Sequence, residues 1–228
     1  MLDKKIIAMV VAEFLGAAVL AAVIYSIIAR TTFPLFTGLA GGGVVALLVL
    51  AFSPVSGTHA NPALTFGLWS ARKMQTIPAI GAIIAQMLGG LAAWGLLNYF
   101  VGHHLTSIAG EKFAWKVLIA EGVGTAVFTF GVASAVYQKF EGAKLAATVG
   151  ISFFMGVIVA SLGANGLLNP AVALGVQSWS WAYAVGPLAG ALVGVNLYGL
   201  LFTETKGSSF KLTVSRGAKR SSSRKKRK

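Results

Sequence analysis

Two short stretches place polar groups inside sequence that otherwise reads as membrane interior. One is Ser56-Gly57-Thr58-His59-Ala60-Asn61-Pro62-Ala63-Leu64-Thr65, and its shorter echo is Gly166-Leu167-Leu168-Asn169-Pro170-Ala171. Asn is a preferred helix cap and Pro is tolerated in the first helical turn, so each stretch predicts the start of a short helix. Such a start presents unpaired N–H groups and about half a positive charge. The side-chain carbonyl of Asn61 or Asn169 can cap that backbone while its NH2 group donates to a passing oxygen. Two such ends meeting in mid-membrane offer hydrogen-bond donors to water or a polyol and positive potential to a cation. A single Asn-Pro-Ala marks many ordinary loop-to-helix starts; the argument rests on the recurrence.

The elements that must hold these turns are apolar helices. The chain has 228 residues, 56% of them hydrophobic and 11% charged, with a mean hydropathy of +0.78. That composition belongs to an integral membrane protein. A spanning helix needs about 20 mostly apolar residues. Six stretches qualify, at about 6–29, 33–53, 77–100, 117–137, 145–162 and 181–202. Two apolar pieces, 62–71 and 170–178, are too short to span and predict half-helices that enter the membrane and stop. The absence of Cys excludes disulfide scaffolds, thiolate metal sites and cysteine nucleophiles.

Charge placement supports six spans with both termini cytoplasmic. In that layout Lys4, Lys5, Arg72, Lys73, Lys139, Lys144 and the ten Lys/Arg of the tail, 16 of the 19 basic residues, lie inside. Only Arg30, Lys112 and Lys116 lie outside. The net charge of +13 therefore sits at chain ends and in short loops, which argues against a nucleic-acid-binding face. Residues 206–228 hold no acid and cannot bury a core, so they are expected to form a disordered cytoplasmic tail attracted to anionic lipid.

The two halves overlay at one offset. Asn61 to Asn169, Glu13 to Glu121 and Gly16 to Gly124 are each 108 positions apart. The expected channel domain is 1–205, with one repeat at about 6–100 and a second at about 114–203. Three spans per repeat is an odd number, so the second repeat must be inverted in the bilayer, and the half-helices enter from opposite faces. Gly81, Ala85 and Gly89 in the third span, and Gly186, Gly190 and Gly194 in the sixth, are small residues four apart that predict close helix seams.

On these residues the chain resembles the aquaporin and glycerol-channel (major intrinsic protein) family over about 6–203. The Ser56–Thr65 stretch, the Glu-x-x-Gly near the start of each half, and Gln86 carry the resemblance. It implies an all-α fold of six transmembrane helices plus two re-entrant half-helices, one pore per protomer, a homotetramer in the cell membrane, and no cofactor, metal or enzymatic step. The implied pore motifs are Asn61, Pro62, Ala63, Asn169, Pro170 and Ala171. A lone carboxylate at mid-membrane costs about 3 kcal/mol or more, so Glu13 and Glu121 must have partners. The resemblance assigns them, with His59, to supporting the re-entrant loops; the His59 ring could pair with loop backbone or line the cytoplasmic half of the pore.

Family members usually follow the second Asn-Pro-Ala with Arg, whereas this chain has Val172. The family's spacing places the rest of the outer constriction at Gly41, Val157 and Gly166. That filter is expected to be wide, uncharged and poor in donors, passing water with glycerol, urea or ammonia. The rivals are an ion-coupled secondary transporter, which also uses inverted repeats and broken helices, an intramembrane enzyme, and an anion channel. The first needs ion-coordinating carboxylates near the site and the second a nucleophile with a base or a metal cluster; neither grouping is present in the sequence.

Overall fold

The computed structural model describes residues 4–107, 109 and 113–203. These residues form eight helices in the order α1 (Lys4–Ile28), α2 (Pro34–Ser56), α3 (Pro62–Ser70), α4 (Thr76–Val101), α5 (Trp115–Tyr137), α6 (Gly142–Ala160), α7 (Pro170–Gly175) and α8 (Trp181–Phe202). Six of them are long and apolar enough to cross a membrane, and each begins and ends within three residues of the span read from sequence. The expected basic tail at 206–228 lies outside the described residues.

An odd number of spans per repeat inverts the second repeat, and the packing follows. Helix α1 packs on α2 and α4, as α5 packs on α6 and α8. The short helices cross over: α3 lies against α8, and α7 against α4. Helices α2 and α6 meet at Gly42 and Gly150, which are 108 positions apart. A Cβ on Gly42 would stand 2.6 Å from the Gly150 carbonyl oxygen, and one on Gly150 would stand 2.5 Å from the Gly42 oxygen. This reciprocal contact marks the pseudo-two-fold axis, where only backbones close enough to exclude a methyl group can meet.

The glycine seams are real, with one exception. Gly89 lies against the Phe14 carbonyl, Gly190 against Gly122 and Gly194 against Ala126. Gly81 meets only the end of Met9, at 3.9 Å, so the α4 seam runs through Gly89 and Gly90 instead. Without a hydrophobic effect between helices in lipid, such close approach supplies the packing. Trp181, Tyr99 and Trp115 stand exposed near span ends, where amphipathic rings suit an interface.

Helix α7 is shorter than the apolar run that contains it. Gln177 turns left-handed, at φ 56°, and the Ser178 N–H bonds to the Ala173 carbonyl at 2.8 Å. Arg72 closes α3 in the same way, with the Lys73 N–H on the Leu68 carbonyl at 2.8 Å. Both ends are Schellman closures made without glycine. They return the chain to the face it entered from.

Candidate functional site

Each half-helix starts from the same local construction. Asn61 and Asn169 are extended, at φ −155° and −153°, with Pro next in the first turn. The Asn61 side-chain oxygen accepts from the Ala63 and Leu64 N–H groups at 2.8 and 3.4 Å. Asn169 accepts from Ala171 and Val172 at 2.9 and 3.3 Å. Each cap thus satisfies two donors that a helix start leaves unpaired.

The residue before each Asn is forced left-handed, Ala60 at φ 49° and Leu168 at φ 54°. Two residues earlier, Thr58 and Gly166 are left-handed as well. Strained backbone of this kind persists only where its surroundings hold it, and a buried carboxylate does so in each repeat. Glu13 accepts from the His59 and Ala60 N–H groups at 3.0 and 2.7 Å. Glu121 accepts from those of Leu167 and Leu168 at the same two distances. Both carboxylates are essentially inaccessible.

The two tips touch. The Asn61 amide nitrogen donates to the Leu168 carbonyl at 2.9 Å, and the Asn169 amide donates to the Ala60 carbonyl at 2.9 Å. Each NH2 has two protons, so one locks the tips together and the second has no partner among the described residues. Two unpaired donors and two helix starts therefore converge at the middle of the bundle, with the charge that develops there positive.

Around the first turn the structure adds side chains that the spacing did not connect. Gln86 donates to Glu13 at 2.7 Å and to the Thr65 hydroxyl at 2.9 Å. The His59 Nδ1 lies 3.1 Å from that same hydroxyl. The ring's partner is thus Thr65, not loop backbone. In the sequence Gln86 carries only part of the family resemblance; its partners come from α1 and α3, and no spacing rule links them.

One cavity opens on each side of the tips. The first, about 240 Å³, lies toward the start of α1 and the end of α8 and is lined by Thr58, His59, Leu64, Lys73, Lys139 and Val149 among others. The buried Thr58 hydroxyl has no hydrogen-bond partner among the described residues. The second, about 200 Å³, lies on the opposite face and includes Thr31, Thr37, Ser161 and Asn165. Tyr183 steadies that side, its hydroxyl accepting from the Asn165 N–H at 3.1 Å.

The four outer positions taken from the family's spacing are only partly brought together. A Cβ on Gly166 would stand 2.9 Å from the Val157 carbonyl oxygen, so these two adjoin. Val172 is buried in the first turn of α7. At Gly41 the expected width is absent: a Cβ there would lie 2.6 Å from Cε1 of Phe153 and 2.9 Å from Cδ1 of Ile24. Phe153, on α6, fills the space that the missing side chain leaves, and neighbours along the chain could not have shown it.

With opposed, touching half-helix tips in an inverted six-span bundle, comparison with known proteins is decisive. The family profile described as Major intrinsic protein matches residues 3–198. The chain belongs to the major intrinsic protein family. It is 32% identical over 195 residues to Aquaporin PIP2-4 of Zea mays, a match covering 75% of this chain and 67% of that protein. It is 29% identical over 189 residues to Aquaporin Z of Photorhabdus laumondii, covering 73% of this chain and 82% of that protein. The fold is shared with the X-ray structure of the aquaglyceroporin from Plasmodium falciparum, with a TM-score of 0.70 at 21% identity, over 86% of this chain and 96% of that one. The chain is an integral, multi-pass membrane protein with the aquaporin-like architecture.

Proposed function

We propose that this protein is a passive transmembrane channel for water and small neutral solutes, with ammonia, urea and glycerol the solutes to test. The observation that carries the reading is the reciprocal pair of bonds from Asn61 to the Leu168 carbonyl and from Asn169 to the Ala60 carbonyl. It leaves one free donor on each amide between two cavities that open on opposite faces. A neutral solute leaving water regains hydrogen bonds at Asn61 and Asn169, whereas a cation meets two helix starts of its own sign. Pro62, Ala63, Pro170 and Ala171 set the turns that aim these groups.

Gly41, Val157, Gly166 and Val172 form the outer constriction in this reading, uncharged because Val172 stands where a guanidinium usually does. Glu13, Glu121 and His59 support the loops. Both intramembrane carboxylates are occupied by backbone N–H groups, which leaves an ion-coupled transporter without coordinating acids at the site. The sorting of basic residues favours cytoplasmic termini in a cell membrane, with anionic lipid attracting the tail and a homotetramer as the assembly.

Stopped-flow light scattering on proteoliposomes under water and glycerol gradients tests the channel. Water permeability well above that of bare lipid supports it, and permeability equal to bare lipid overturns it.

A further inference from the structure

We infer that Phe153 sets the solute size limit of this channel, reaching Gly41 of the outer constriction from one helical turn below Val157 on α6. The inference rests on the channel reading above and deepens it. Gly41 removes bulk from α2 at a level where α6 supplies it. The Phe153 ring occupies the niche so tightly that even a methyl group on Gly41 would stand 2.6 Å from its Cε1. Ile24 of α1 closes the same niche at 2.9 Å. Phe128 of α5 meets the ring edge-on, with centroids 5.3 Å apart and planes at 83°. Side chains from α1, α5 and α6 thus converge with Gly41 of α2 at the centre of the bundle, and Phe153 is 1% exposed there.

The chemistry of this collar is all apolar. Ile24, Phe128 and Phe153 offer no hydrogen-bond donor, so a solute passing them sheds its water without replacement until it reaches the Asn61 and Asn169 amides. The cost grows with the number of polar groups stripped and with the displacement demanded of the ring. Water and ammonia pass with one centre to desolvate; urea and then glycerol pass progressively more slowly. Val157, a turn outward on α6, faces the Gly166 loop instead and contributes less to size selection.

The test is a double-variant comparison in proteoliposomes, reading the ratio of glycerol to water permeability. Phe153→Ala is expected to raise that ratio about tenfold, the discrimination that a small size change in an apolar pocket provides. Gly41→Ala is expected to lower it by driving the ring inward, and to have a smaller effect once Phe153 is Ala, where only Ile24 still meets the added methyl. Should Phe153→Ala fail to fold, Phe153→Leu keeps most of the volume and is expected to raise the ratio by a smaller factor. An unchanged ratio with water flux intact in Phe153→Ala, or in Phe153→Leu if only that variant folds, overturns the inference. So does a Gly41→Ala effect of equal size in both backgrounds. Loss of the channel reading is distinguishable, because the unaltered protein would then conduct no water.

Discussion

The two re-entrant turns share a backbone and differ in what surrounds it. Glu13 and Glu121 each hold two consecutive N–H groups, and Asn61 and Asn169 each cap two more. Around the first turn stand His59, Thr65 and Gln86; at the matching positions of His59 and Thr65 the second turn has Leu167 and Ala173. A carboxylate and a capping amide are thus the parts common to both loops. The polar side chains are additional, and through Gln86 they tie α4 to Glu13 of α1 and Thr65 of α3.

The comparison breaks most sharply if the tips are not equivalent. Asn61→Ala and Asn169→Ala each remove a cap and leave a buried carbonyl unpaired, so each is expected to cost about 3 kcal/mol. Chemical unfolding in detergent should show the two losses equal within error; a loss at one site only would mean that the tips do not lock each other. Glu121→Gln comes next, at about 2 kcal/mol, because its new NH2 would face a backbone donor with no side chain to relieve it. Glu13→Gln should cost about half as much, since the Gln86 amide can reverse and accept; the same unfolding measurement ranks the pair. Gln86→Leu is expected to cost about 1 kcal/mol and to leave Asn169 function untouched, checked by unchanged ion exclusion.

On the opposite side, Val172→Arg adds donors and bulk to the outer constriction. It is expected to lower the glycerol-to-water permeability ratio and, because Val172 is buried, to destabilise the fold as well. An unchanged ratio would remove Val172 from the constriction.

Much of this was legible before any coordinates. Glu13, Asn61 and their counterparts lie 108 positions apart because the backbone bonds they make are local to each repeat, and repetition preserves local geometry. The six spans follow from hydropathy, which lipid enforces residue by residue. The shortened α7 was not legible, since its closure at Gln177 uses a left-handed non-glycine residue with no compositional mark. Nor was the position of Phe153: a glycine on α2 predicts space, and only the crossing of α2 with α6 reveals that a ring from another helix takes it. Gly81 erred in the opposite sense, matching a small-residue pattern without a neighbour close enough to need it.

The central claim is that the paired amides admit neutral solutes and repel cations at one point. Its most direct test records osmotic water flux and proton leak in the same proteoliposomes, with an internal pH-sensitive dye beside light scattering. The account predicts water flux several-fold above bare vesicles with proton leak at the bare-vesicle level, and a raised leak in Asn61→Asp, whose carboxylate keeps the cap but reverses the charge at the tip. Water and protons rising together in the unaltered protein, or neither rising, would contradict it.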